Sequence, residues 1–463
     1  MLELITACKG FDEIKKAYSI YIKIENEVEK EQGPLIDRGL IASITDAYDV
    51  PDKLARRLYT GLDEIEADTE LLALFNFLRW DICRYKKGID GDFYLHFDFD
   101  YPSNCPDVRK FLLLLSCISV GRKALEDRKV PREIYEAMPY HRIGPQVQQY
   151  KETGSCEVLD FNWDKNFYAS TIFLFDRFYF TPYTFGDPFR LYRNRINDRV
   201  IGLYDGGYTV TVQGQPCEPG YDISDSSEYI SCSQSPGEGS FTTSYSEDAA
   251  AYCGNIINPC GIISRRQMSL PKKDYEPALN RGDLLLAFHI PSGEGYNPRR
   301  LEKSMNLALE FYDRYFPELD IKGFWSESWL YDPMLSLLLD KDTNIVSMQR
   351  RFYCYPIGAG SEMLIKELGI AAYVSYTDDH LPYIDEDAVA EADKDKLTSL
   401  QRNALTIMRR GYDFHTTSMI VLRDDVQGIS HRYPYLKEDH IREYRAVVRN
   451  AGIKIEQLEM INV

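Results

Sequence analysis

The sequence predicts an α+β protein, a helical N-terminal domain followed by a mixed β-sheet flanked by helices, and three observations carry that expectation. Up to about Asp164 apolar residues recur at helical spacing, as in 71–85 and in the apolar stretch Phe111–Val120 that runs on to Leu125; Pro131 starts another helix where a first turn tolerates proline. After about Phe167 the texture changes to short aromatic and β-branched runs. From Gly282 the order strand, loop, helix, strand, helix, strand follows, and right-handed crossovers place its first two strands in parallel.

The elements follow in order. Residues 173–184 (FLFDRFYFTPYT) read as a strand, and 200–213 (VIGLYDGGYTVTVQ) as a hairpin turning on Asp-Gly-Gly. Residues 214–245, rich in Gly, Ser, Pro and Asp, read as a long surface excursion. Residues 284–290 (LLLAFHI) are continuously apolar, the mark of a strand covered on both faces. The helix after it has Asn297 at its N-cap, Pro298 at its first position and one face made by Leu301, Met305, Ala308, Phe311 and Tyr312. Residues 321–325 form a second strand, Asp332-Pro333 opens a helix through Leu339, and 349–357 form a third strand. The acidic stretch 378–396 is a solvated connection or a helix surface, 398–410 a helix, and 418–422 a final sheet strand. A helix over 438–450 and a strand over 453–458 complete the chain. The expected domains are 1–165 (helical), 166–425 (mixed sheet) and 426–463 (a helix-strand appendage).

Composition narrows the function. The 463 residues carry 54 Lys and Arg against 72 Asp and Glu, a net charge of −18 that opposes binding to a phosphate backbone, so no nucleic-acid partner is expected. The apolar run 111–120 is about half of the roughly 20 residues a membrane span needs. The start, MLELITACKG, has no secretory signal, and the ten cysteines form no CxxC; reduced thiols and a cytoplasmic location are the expectation. No metal is expected either. His96-Phe-Asp-Phe-Asp100 alternates as a half-buried strand does, and Cys253 and Cys260 have no histidine near them.

One stretch carries chemistry. Gly293 and Gly295 allow close backbone approach, the unpaired amides of the following helix favour an anion, and Arg299 and Arg300 add positive charge in an acidic chain. A pyrophosphate suits that site. It is neither a dinucleotide fingerprint, since Pro298 occupies the third glycine position, nor a Walker loop, since no Gly-Lys-Ser/Thr follows.

Residues 254–261 (GNIINPCG), Gly282-Asp283 with His289-Ile290-Pro291 and the glycine loop, 328–333 (SWLYDP), Asn344-Ile-Val346 and Gln349-Arg-Arg-Phe352 resemble the bacterial GNAT-like acyltransferase-domain proteins. The resemblance spans about 71–425 and is most specific over 254–353. It implies a GNAT-like domain whose central strand is 284–290 and whose next strand splays away to admit a pantetheine arm. Ile290, Ser292, Gly293, Glu294, Gly295, Tyr296, Asn297, Arg299 and Arg300 would then hold the coenzyme. Two departures stand out: Ile290 occupies the position where such loops usually begin with Arg or Gln, and the apolar Leu337-Leu338-Leu339 replaces a helix tyrosine that protonates the thiolate.

The implied reaction is direct transfer of an acyl group from acyl-coenzyme A (acetyl or longer) to a small amine in a ternary complex. His289 and Glu327 are its candidate bases, and Tyr331 is the nearest phenol to act as acid. Ser328 orients a water or the thiol, with a turn or cap role as its alternative reading, and Asp332 is a turn or N-cap residue. A GNAT-like fold that has lost catalysis and binds a ligand or partner is the alternative. A glycoside hydrolase needs two carboxylates facing across a cleft, and no such pair can be placed.

Overall fold

The computed structural model describes residues 11–84, 103–217, 237–376, 382–391 and 397–455. The His96–Asp100 segment, the middle of the 214–245 excursion, the two ends of the acidic stretch (378–381 and 392–396) and the second half of the expected 453–458 strand lie outside the described residues, and 453–455 form no strand. The chain forms two compact units that divide between Leu174 and Phe175.

The first unit is helical. Its helices are α1 (Phe11–Gln32), α2 (Arg38–Tyr48), α3 (Asp52–Ala67), α4 (Thr69–Arg84), α5 (Arg109–Asp127), α6 (Arg132–Tyr135), α7 (Tyr140–Thr153) and α8 (Phe161–Tyr168). Pro131 caps α6 instead of opening it. Leu58 and Leu62 of α3, Leu74 and Leu78 of α4, and Leu112 and Leu115 of α5 are buried at the three- and four-residue spacing that puts side chains on one helix face. The buried guanidinium of Arg79 donates to the carbonyls of Pro34 and Leu35 at 2.9 and 3.1 Å and so closes the turn before α2.

The second unit opens with β1 (Phe178–Thr184), β2 (Phe189–Asn194), β3 (Val200–Tyr204), β4 (Thr209–Val210), β5 (Phe241–Thr242), β6 (Tyr245–Glu247), β7 (Ala251–Asn258), β8 (Ile262–Pro271), β9 (Tyr275–Leu279) and β10 (Leu284–His289). There follow α9 (Pro298–Tyr315), β11 (Ile321–Ser328), α10 (Leu335–Leu338), α11 (Asn344–Gln349), β12 (Tyr353–Ala359), α12 (Glu362–Glu367), a helix over Ser399–Arg409, β13 (Thr416–Leu422) and a last helix over Glu438–Asn450. Five strands of the main sheet run in the order β1, β10, β11, β13, β12. Only β10 and β11 are parallel; the other three neighbouring pairs are antiparallel, so the sheet is mixed. A second sheet runs β9, β2, β3, β7, β6, with β8 on β7.

Both faces of the main sheet are covered, as the unbroken apolar pattern of β10 requires. On one face Phe180 packs against Phe288 and Phe324, and Phe175 bridges from Phe180 to Phe311 of α9. On the other face Tyr183, Leu285, Ala287, Trp325, Tyr353, Tyr355 and Ile420 share a core with Phe189, Leu191, Val200, Tyr204 and Ile257 of the second sheet. Tyr353 ties the two sheets together: its hydroxyl accepts the Gly202 N–H at 2.7 Å and donates to the Ile257 carbonyl at 2.8 Å. The last helix packs Ile441, Tyr444 and Val448 into a cluster with Leu335, Leu338 and Phe414.

Three local expectations are corrected. Residues 200–213 are not a hairpin: β3 pairs with β2 and β7, and β4 pairs with β5. The glycine turn is bound sideways instead of closing on itself, with Gly207 N–H donating to the Thr243 carbonyl at 2.9 Å and Gly206 packed on the Tyr245 amide. Residues 349–352 are not strand, because Thr343 caps a helix that runs through Gln349 and the buried Arg351 guanidinium donates to Ile429 O at 2.9 Å. The expected helix from Pro333 is reduced to one turn, 335–338.

Close approach of β11 and β13 depends on Gly323. A Cβ there would stand 2.2 Å from Val421 O and 2.9 Å from Leu422 Cα, both backbone atoms that cannot swing aside. Gly323→Ala is therefore expected to destabilise the second unit by about 1–3 kcal/mol, read as a lower urea midpoint.

Candidate functional site

The site begins where two parallel strands part. β10 and β11 pair at Leu284 with Ile321, Leu286 with Phe324 and Ala287 with Trp325, and the register goes no further. Beyond that point each strand stays tied to its outer neighbour. Phe288 and His289 pair with Phe180 and Tyr179 of β1, while Ser326, Glu327 and Ser328 pair with Met419, Ser418 and Thr417 of β13. A V-shaped opening results, lined by strand edges that no protein strand fills.

At the mouth of the opening lies the loop 291–297. Gly293 and Gly295 sit at φ 101 and 97, conformations that side chains oppose. Asn297 caps α9, its side-chain oxygen accepting the Arg300 N–H at 3.1 Å, with Pro298 following. Ser292, Gly293, Glu294 and Arg299 are exposed and Ile290 and Tyr296 half-buried. The two arginines differ: Arg300 donates from Nε to Asp176 at 2.7 Å, whereas Arg299 has no acidic partner among the described residues. Beneath the loop Arg177 donates from Nε to Glu294 O at 2.7 Å and from its terminal nitrogen to the carbonyls of Pro291, Ser292 (3.4 Å) and Gly293 (2.9 Å).

Strand alternation sorts the candidate acid–base groups onto opposite faces of the sheet. Glu327 shares its face with Trp325, and in register across β13 with Ser418 and Tyr355. His289 shares that face with Ala287, which is level with Trp325, so His289 and Glu327 flank the opening on one side. Also on this side is the buried Asp187, which accepts the Tyr355 O–H; Tyr355 in turn accepts Trp325 Nε1–H at 2.7 Å. Burial, with Asp187 negative beside it, raises the Glu327 carboxyl to about 7, and burial raises Asp187 to about 6. Burial lowers His289 to about 4, which leaves it neutral at pH 7.

Tyr331 belongs to the other face. It is fully buried, packs edge-on against Phe352, and donates its hydroxyl to Ser326 Oγ at 3.1 Å, while burial raises its pKa and keeps it protonated. Ser328 Oγ accepts the Leu330 N–H at 3.2 Å, capping the turn that carries Tyr331. Asp332 anchors that turn: its carboxylate accepts the Met334 and His415 N–H groups, each at 2.7 Å, and the Tyr412 hydroxyl at 3.0 Å. Asp176, Arg177 and Asp187 were missed by sequence reasoning. A charged Asp-Arg pair interrupting the aromatic run FLFDRFYF was a signal for the first two; Asp187, in a Gly-Asp-Pro turn, gave none.

Residues 262–420 match the GNAT-like C-terminal domain family. No curated protein matches the chain. Among solved structures it is similar to an acyltransferase mutant in complex with octanoyl-CoA, at 14% identity, TM-score 0.45, covering 88% of this chain and 99% of that one. It is likewise similar to an acyltransferase in complex with decanoyl-CoA and teicoplanin, at 14% identity, TM-score 0.42 and coverages of 88% and 99%.

The buried carboxyls make stability depend on pH. Asp187 and Glu327 hold protons in the folded state to about 6 and 7, whereas unfolded carboxyls release them near 4. Across that window the folded state binds more protons at these two groups, so the stability they contribute is fully present below about pH 4 and is lost as pH rises through 7. Melting temperature is expected to fall from pH 5 to pH 8. Glu327→Gln should flatten the slope, and Asp187→Asn should flatten it further by also removing the charge that raises Glu327.

Proposed function

Residues 262–420 belong to the GNAT-like C-terminal domain family, and from that premise we propose that the protein is an acyl-coenzyme A-dependent N-acyltransferase acting on a small amine. The observation that carries the reading is the parting of β10 and β11 beside a glycine loop and a helix N-terminus. The loop and the first turn of α9, residues 290–297 with Arg299 and Arg300, suit a pyrophosphate. The open strand edges suit the amides of a pantetheine arm, which would pair there as an added strand does.

Chemistry follows from the two faces. With the thioester lying in the opening, the amine approaches from the side of Glu327, Asp187 and His289, where carboxylates favour a cation. Glu327, at about 7, takes the proton the amine must lose. The amine nitrogen then attacks the thioester carbon, the carbon–sulfur bond breaks with the sulfur leaving toward the opposite face, and the nitrogen sheds its second proton to solvent as the amide forms. There Tyr331, held protonated, supplies a proton to the thiolate. His289, at about 4, is too weak a base for an ammonium near neutral pH and is better suited to orienting the acceptor. Ser328, whose oxygen caps the Tyr331 turn, acts through Tyr331.

Purified protein is expected to bind coenzyme A by calorimetry and to release free thiol from an acyl-coenzyme A when offered a panel of primary amines. Binding without thiol release would identify a ligand-binding protein that has lost transfer. Gly293→Val and Gly295→Val should each weaken coenzyme binding, the first by filling open space above a φ of 101, the second by driving a side chain onto Arg300, 2.9 Å from the added Cβ.

The pH profile assigns the proton carriers. Glu327→Gln should lower turnover by about 10²–10⁴-fold near neutral pH and abolish the acidic limb, with partial recovery at high pH, where free amine is abundant. His289→Ala should leave the limb in place. Tyr331→Phe should lower turnover about tenfold to a hundredfold, the low end of acid catalysis for a good leaving group, without moving the limb.

A further inference from the structure

The glycine loop that follows Ile290 is held by a residue far away in sequence. We propose that Arg177 is the positioning residue of the phosphate cradle: reaching in from the turn before β1, it gathers the loop's carbonyls and thereby turns the loop's amides toward the ligand. This deepens the coenzyme reading above and rests on it.

The argument is one of backbone polarity. Arg177 takes the carbonyls of four consecutive residues, Pro291 to Glu294. No peptide bond among the described residues is cis, and in a trans peptide the carbonyl of one residue and the N–H of the next point in opposite directions. With those four carbonyls turned to Arg177, the N–H groups of Ser292, Gly293, Glu294 and Gly295 point away from it. Among the described residues none of those amides donates to a protein acceptor. Successive unsatisfied amides on one side of a turn form an anion-binding concavity, and they adjoin the N-terminus of α9.

Arg177 is itself fixed. It is 7% exposed, its own N–H donates to Ser304 Oγ of α9 at 3.2 Å, and the neighbouring Asp176 accepts from Arg300 Nε at 2.7 Å and Lys303 Nζ at 2.6 Å. The turn therefore holds the loop and the helix start in one frame. Among the described residues no carboxylate touches the Arg177 guanidinium, so its charge is left to offset an anion on the far side of the loop. A planar guanidinium can span several carbonyls; an ammonium is a compact point charge that cannot.

Calorimetry on the full chain with coenzyme A and with pantetheine, which lacks the pyrophosphate, tests the assignment in wild type, Arg177→Lys and Arg177→Gln. Both variants are expected to lose at least tenfold in affinity for coenzyme A and less than threefold for pantetheine, with melting temperatures showing that they fold. Arg177→Lys keeps the charge, and carries the test if the glutamine variant does not fold. Wild-type affinity in Arg177→Lys would overturn the assignment, since charge alone would then suffice. An equal loss for pantetheine would overturn it as well, by making the effect a general one. A wild-type chain that binds no coenzyme A overturns the coenzyme reading itself, a result distinguishable from either.

Discussion

The parallel ladder between β10 and β11 ends at Ala287 and Trp325, and a buried strand edge left without partners is costly. The rest of the second unit is arranged around that constraint. Each strand is kept straight and satisfied on its outer side, β10 by β1 and β11 by β13, so the parting does not unravel the sheet. Aromatic packing holds the divergence from both faces: Phe180, Phe288 and Phe324 on the α9 side, and Trp325 stacked on Tyr183, with ring centroids 4.1 Å apart, on the other.

The same geometry separates charge and proton chemistry. Alternation along β11 sends Trp325 and Glu327 to one face and Ser326 to the other, and each face supplies its own polar partners. Asp187, Tyr355 and Trp325 form a chain of hydrogen bonds beside Glu327. Ser326 holds the hydroxyl of Tyr331, whose turn is anchored by the buried carboxylate of Asp332. β11 thus places Glu327 on one face and, through Ser326, holds the hydroxyl of Tyr331 on the other, the two kept apart by the sheet itself.

Much of this arrangement was legible in the chain. The apolar run 284–290 announced a covered strand, found over Leu284–His289, and Asn297-Pro298 announced the helix start, which is as expected because cap and proline chemistry are local. The hairpin expected at 200–213 failed for the converse reason. Its Asp-Gly-Gly turn has the right local chemistry, but the Gly207 amide is satisfied by the carbonyl of Thr243, which follows β5 later in the chain. The strand expected from Gln349 failed similarly, since Arg351 is drawn to the carbonyls of Ile429 and Ser430.

By itself the sequence determined the helix-then-sheet order, the parallel pairing around α9, and the glycine loop with its capped helix, because periodicity, turn chemistry and capping act over a few residues. Only the tertiary structure decided where the parallel ladder stops, that Arg300 is neutralised by Asp176, that Arg177 holds a loop more than a hundred positions away, and that Asp187 stands beside Glu327. Those relations depend on register and on which buried polar group reaches which partner. Both are set by the packing of segments distant in the chain, where local propensity has no say.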